Sequence, residues 1–117
     1  MTNYNKVFLI GRLTKEPETK VTMSGISLSR FTIAVNRLKK AGEESVADFI
    51  NIVTWRRLAE VASQYLKKGQ LVAIEGELRI DSYDRNGESR EWVEVVADNF
   101  QMLDRVTADM PVSEGIA

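Results

Sequence analysis

The chain contains no cysteine and no histidine. Disulfide frameworks, thiol nucleophiles, the usual zinc sites and every reaction scheme that turns on an imidazole are therefore excluded. No apolar run approaches the length of a membrane span. The opening Met1-Thr2-Asn3-Tyr4-Asn5-Lys6 has no basic stretch followed by an apolar one, so it does not read as a signal peptide. Acidic residues are plentiful but scattered. Glu75, Glu77 and Asp81 share a strand face without a nucleophile or base beside them, so alternating charge on a solvated face explains them better than metal or acid–base chemistry. The expectation is a soluble intracellular protein that is not an enzyme and needs no cofactor.

At 117 residues the chain is long enough for one domain with a modest core. Its formal net charge of -1 conceals an uneven distribution. Residues 1–40 carry about +6, and the remainder carries about -7. Gripping a phosphate backbone requires a local positive surface, not a positive total. The distribution permits nucleic acid without demanding it.

The most informative stretch is Asp48-Phe49-Ile50-Asn51-Ile52-Val53-Thr54-Trp55-Arg56-Arg57. A strand sends alternate side chains to opposite faces. Phe49, Asn51, Val53 and Trp55 share one face, and Ile50, Ile52 and Thr54 the other. The second set reads as core. The first offers two aromatics around an amide, with two arginines beyond, which suits a nucleobase or a second protein layer equally.

Around it the chain is mostly extended. Residues 5–13 alternate weakly, and Gly11 allows a bend or a close backbone approach. Pro17 interrupts, and Thr19 to Thr22 makes a short extended piece before a turn at Ser24-Gly25. Ser27 to Asn36 is the cleanest strand, with Phe31, Ile33 and Val35 opposed to Arg30, Thr32, Ala34 and Asn36. Arg37 to Ser45 is too long for a two-residue hairpin. Its Lys39-Lys40 pair reads as a solvated loop tip or as a basic finger over a phosphate chain. Leu58, Val61, Ala62, Tyr65 and Leu66 fit a short amphipathic helix ending at Lys67-Lys68-Gly69, with Tyr65 as its packing edge. Gln70 to Asp81 is again extended, with Gly76 marking curvature. Asn86-Gly87 reverses the chain within a protruding hairpin, Tyr83 to Glu91. Trp92 to Leu103 is the last strand.

The order β-β-β-α-β-β, five strands with a helix between the third and fourth, predicts an all-β OB-fold: a five-stranded Greek-key barrel. The domain is expected to occupy residues 1–106. Residues 107–117 lack periodicity and are expected to form a short flexible tail.

Ordered segments from residue 5 to 103 resemble the bacterial-type single-stranded DNA-binding protein family. They are Asn5 to Glu18, Phe31 to Arg37, Ala47 to Trp55, Leu58 to Gly69 and Ile74 to Arg79. The resemblance implies an OB-fold that coats exposed single strands during replication, recombination or repair, commonly as a homotetramer in which the first strand helps pair subunits. It places the stacking aromatics on Phe49, Trp55 and Tyr83. Trp92 joins them from the surface pattern, with an intersubunit packing role as its alternative. Candidate phosphate contacts are Arg12, Lys15, Arg30, Arg37, Lys39, Lys40, Arg56, Arg57, Arg79 and Arg85, half of them expected to be ordinary surface charge, with Arg37 and Arg56 foremost. Cellular members end in an acidic tip that recruits replication and repair enzymes. Here the chain closes on Pro111-Val112-Ser113-Glu114-Gly115-Ile116-Ala117, which does not support recruitment through such a tip. A phage-encoded or secondary homologue, or a shortened chain, fits that ending. The resemblance also implies a place in the bacterial nucleoid, or in the host cytoplasm for a phage protein. The competing reading is an OB-fold adaptor within a replication or recombination complex, with weak nucleic-acid binding.

Overall fold

Alternation carries directly into the barrel wall. Phe31 and Ile33 are buried while Arg30 between the strand's two faces is exposed, and the strand they define, β3, runs Ser27–Asn36. The computed structural model describes residues 3–104. The other strands are β1 (Val7–Leu13), β2 (Glu18–Val21), β4 (Ala47–Trp55), β5 (Leu71–Arg85) and β6 (Glu88–Met102). Among the described residues a single helix, α1 (Arg56–Tyr65), lies between β4 and β5.

Five of the strands close on themselves. The sheet order is β1-β5-β6-β4-β3-β2, and β1 also pairs with β3 through Arg12↔Ala34 and Leu13↔Ile33. All pairings are antiparallel except β4 with β6, which run parallel through Ile52↔Val95 and Val53↔Val96. This is the expected OB-fold barrel. The extended piece near Thr19 becomes a sixth strand, β2, added to the outer edge of β3 through Glu18↔Arg30 to Val21↔Ser27.

Leu13, Phe31, Ile33, Ile52, Leu66, Val72, Ile74 and Val95 form the core with Ala62 and Ala97. Burying a large apolar side chain contributes about 1.5–3 kcal/mol. An exposed ion pair contributes about 0–1 kcal/mol. The core therefore holds the barrel, and the surface pairs tune it.

Two glycines allow backbones to meet. A Cβ on Gly11 would sit 2.6 Å from the carbonyl oxygen of Ala34, across the seam that closes the barrel. One on Gly76 would overlap the carbonyl oxygen of Val96 at the register shift between Glu75 and Gly76. This shift is the curvature that Gly76 predicted.

Beyond it, β5 and β6 leave the barrel as a two-stranded arm paired to Arg85↔Glu88. The last strand thus begins at Glu88 and not at Trp92, because a two-residue turn at Asn86-Gly87, with both φ positive, carries pairing to the tip. Leu78 and Ile80 share the core parity but are exposed on that arm, where no second layer among the described residues covers them.

The helix buries Ala59 and Ala62 and stops at Tyr65, with the Leu66 amide bonding the Ala62 carbonyl at 2.9 Å. Leu66 is core, whereas Tyr65 is half-exposed. Arg56 opens the helix at φ 59, a left-handed conformation that costs a non-glycine residue roughly 1–2 kcal/mol. Arg56→Gly is accordingly expected to stabilise the domain by about 1 kcal/mol, read as a raised midpoint in denaturant unfolding.

Candidate nucleic-acid interface

The side chains of one continuous barrel face follow from register. On β4 they are Phe49, Asn51, Val53 and Trp55, opposed on β3 by Ala34, Thr32, Arg30 and Leu28. Through the parallel pair Val53↔Val96, the face continues onto Trp92, Glu94 and Val96 of β6. It then reaches Glu77, Arg79, Asp81 and Tyr83 of β5, where Arg79 stands opposite Glu94 and Asp81 opposite Trp92. All four predicted aromatics, Phe49, Trp55, Tyr83 and Trp92, therefore carry the outward parity of three adjacent strands, β4, β6 and β5.

Their accessibility differs. Phe49 is 68 % exposed, Tyr83 and Trp92 are about two-fifths exposed, and Trp55 is partly buried beside Leu28 at the helix junction. Phe49 and Trp55 lie six residues apart, about 20 Å along a straight strand, so they face different bases. Between them, Asn51 accepts from the Thr32 hydroxyl at 3.2 Å and donates to the Val93 carbonyl at 3.3 Å. Its amide is thereby fixed in the floor of the face.

Val53 departs from the expected pattern. Placed on the outward side by parity, it is completely buried. The reason lies in two neighbours. Arg30, in register with Val53 on β3, reaches Glu94 on β6 at 3.6 Å, so the pair spans the strand that carries Val53. Trp92 Nε1 donates to the same carboxylate at 2.9 Å.

The predicted basic residues separate into four groups. Arg12 is committed: it donates to the Gly69 carbonyl and the Asp104 carboxylate, each at 2.9 Å. Asp104 also receives the Leu71 amide and the Gln70 side chain, tying the end of the described chain to the barrel. Arg30 is held by Glu94. Arg37 and Arg57 have exposed acidic partners, Asp48 at 2.8 Å and Glu60 at 4.0 Å. Lys15, Lys39, Lys40, Arg56, Arg79 and Arg85 are exposed and have no acidic partner among the described residues, although Lys39 donates to Ser45 at 3.1 Å. Lys39 and Lys40 lie on the loop that the Arg37 amide closes by donating to the Val46 carbonyl at 2.9 Å.

Arg90 and Glu94 belong to this face and escaped the sequence reading. Arg90 stands opposite Tyr83 on the arm. Glu94 shares its side of β6 with Trp92 two residues earlier, which parity does disclose; its burial does not follow from parity.

Arg37 sets the charge state at the loop base. Its two-pronged hydrogen bonds to Asp48 hold that carboxyl below the usual aspartate range and raise the guanidinium. A depressed aspartate stabilises above its unfolded value, near 3.9, and loses that contribution as pH falls through its lower folded value. A carboxyl NMR titration is expected to place the Asp48 midpoint below those of unpaired aspartates. Arg37→Gln is expected to return it to the ordinary range.

A family model described as the single-strand binding protein family matches residues 4–103. A single-stranded DNA-binding protein of Treponema pallidum is 47% identical over 108 residues, covering 91% of this chain and 61% of the relative. Single-stranded DNA-binding protein 2 of Streptococcus agalactiae is 48% identical over 102 residues, covering 86% of this chain and 78% of the relative. The chain thus spans between about three-fifths and four-fifths of these relatives' lengths. Among solved structures, a Plasmodium falciparum SSB in complex with ssDNA superposes with a TM-score of 0.82 at 25% identity, covering 89% of this chain and 98% of that one. The closed barrel, the helix after β4 and the match across residues 4–103 agree: the chain belongs to the single-strand binding protein family.

Proposed function

We propose that the chain binds and protects single-stranded DNA without sequence preference, as a non-enzymatic coat during replication, recombination or repair. The observation that carries this reading is the common outward parity of Phe49, Trp55, Tyr83 and Trp92 on adjacent strands of the barrel and its arm. Every base has a π-face, so stacking on aromatics is tolerant of sequence and contributes about 1–3 kcal/mol per base. Phosphate contacts fall to Lys15, Lys39, Lys40, Arg56, Arg79 and Arg85, which are exposed and free of acidic partners among the described residues. Arg37 and Arg57 join them, since a solvent-exposed ion pair is weak and exchanges its carboxylate for a phosphate. Arg12 belongs to the barrel's own anchoring.

The assembly proposed is a homotetramer. β1 pairs with β3 through Arg12 and Leu13, which leaves the Val7–Gly11 edge open on that side among the described residues. Phe8 and Ile10 are 70 % and 57 % exposed there and flank a groove of about 300 Å³ with Phe100. An open edge beside apolar side chains is a ready surface for strand pairing. The relevant tail, residues 107–117, with the expected domain limit at 106, lies outside the described residues.

Competition for a labelled oligothymidine tests the binding. Unlabelled single strands are expected to displace it, whereas duplex of equal length competes far more weakly because its bases are already stacked. Equal competition by duplex would overturn the stacking reading. Sedimentation equilibrium is expected to give four times the 13.2 kDa chain mass, and Phe8→Glu a smaller species.

A further inference from the structure

A carboxylate buried in the middle of a surface that meets a polyanion calls for an explanation. Glu94 is 4 % exposed and stands on the same face as the four aromatics. Uncompensated burial of a charge is strongly unfavourable. Two groups compensate it here: the Trp92 indole N–H at 2.9 Å and the Arg30 guanidinium at 3.6 Å. Both contacts are made to Oε2, one from along β6 and one from across β4.

Each contact has a consequence. The hydrogen bond fixes one edge of the indole against the sheet, which orients a side chain that is otherwise two-fifths exposed on a projecting arm. The ion pair consumes the positive charge of Arg30 at the centre of the face and seals Val53 beneath it. On the β3–β4 side of Glu94 a phosphate would meet a buried negative charge and an arginine already engaged, whereas Arg79, opposite Glu94 on β5, is exposed and unpaired among the described residues. A neutral base meets neither obstacle.

We propose that Glu94 is a positioning residue of this face: its buried carboxylate anchors the Trp92 ring and withholds Arg30 from the phosphates, so that backbone contacts pass to the unpaired cations, its cross-strand neighbour Arg79 among them. The assignment rests on the single-strand binding reading and adds an internal partition to it. It also makes Arg30 a residue whose charge is masked until Glu94 is neutralised.

The test is a double-mutant cycle on the full chain. Oligothymidine affinity is followed by tryptophan fluorescence across a salt series for the parent, Glu94→Gln, Arg30→Gln and the double variant. Glutamine retains an oxygen that accepts from Trp92 but loses the charge that holds Arg30. Glu94→Gln is therefore expected to steepen the slope of log affinity against log salt by about 0.7, the value for one further phosphate neutralised on a single strand. In the Arg30→Gln background the same change is expected to add nothing to the slope. An unchanged slope in the first comparison, or equal changes in both, overturns the withholding of Arg30. Without DNA, Trp55→Phe leaves Trp92 as the remaining tryptophan. Adding Glu94→Leu to that variant is expected to shift its emission to longer wavelength, and an unmoved spectrum overturns the anchoring. A parent that binds no oligothymidine contradicts the single-strand reading itself, a result distinct from a binding parent whose slopes fail the cycle.

Discussion

Phe49→Ala is expected to weaken oligothymidine binding by about 1–3 kcal/mol, roughly 5- to 150-fold, while leaving folding stability nearly unchanged. The two halves of that expectation come from the same observation. Phe49 is 68 % exposed, so its ring contributes little to the core and is fully available to a base. Its cross-strand neighbour is Ala34, too small to shield it. Equilibrium unfolding beside a fluorescence titration separates the two quantities. Trp55→Ala behaves differently, because Trp55 is partly buried against Leu28 where β4 meets α1. That substitution is expected to lower both affinity and stability, and Phe49 is therefore the cleaner probe of stacking.

The largest effect on stability is expected at Gly76. Gly76→Ala would drive a methyl group into the Val96 carbonyl oxygen and within 2.9 Å of the Ala97 Cα, both backbone atoms that no rotamer change can move aside. Overpacking of side chains costs about 1–3 kcal/mol, and a clash against paired backbone is expected to reach at least the top of that range. At about 4–8 °C per kcal/mol for a domain of this size, the melting temperature falls by about 12 °C or more. Gly87→Ala provides the contrast. Gly87 has φ +79 but open space around its Cα, so its cost is backbone conformation alone, about 1 kcal/mol. A melting temperature for Gly76→Ala no lower than that of Gly87→Ala would show that the β5–β6 crossing relaxes freely.

Much of this arrangement is legible from periodicity. The alternation of Phe31 and Ile33 against Arg30 and Thr32 states which side of β3 is core, and Asn86-Gly87 states where the arm reverses. Alternation also gives Phe49, Trp55, Tyr83 and Trp92 the same outward parity once the strands are in register. What parity cannot express is cover from a third strand. Val53 is buried by a pair formed between Arg30 and Glu94, residues 64 positions apart that meet only because β4 runs parallel to β6. Leu78 and Ile80 fail in the opposite sense, since the strand outlasts the barrel and its core-parity residues pass into solvent. The basic residues divide for a similar reason. Arg12 and Lys15 look alike in sequence, yet Arg12 meets Asp104 from the far end of the described chain while Lys15 meets no acid there.

Both tryptophans, Trp55 and Trp92, lie on the proposed face, so tryptophan fluorescence, excited where tyrosine does not absorb, reports on that surface. The most direct measurement is a titration of the full chain with oligothymidine at about 50 and about 200 mM salt, the range over which phosphate contacts are strongly weakened. Binding by stacking plus phosphate contact predicts strong quenching at both concentrations, with affinity falling as salt rises by a slope of about -0.7 per phosphate contacted. A folded protein whose emission does not change under saturating oligothymidine would contradict it.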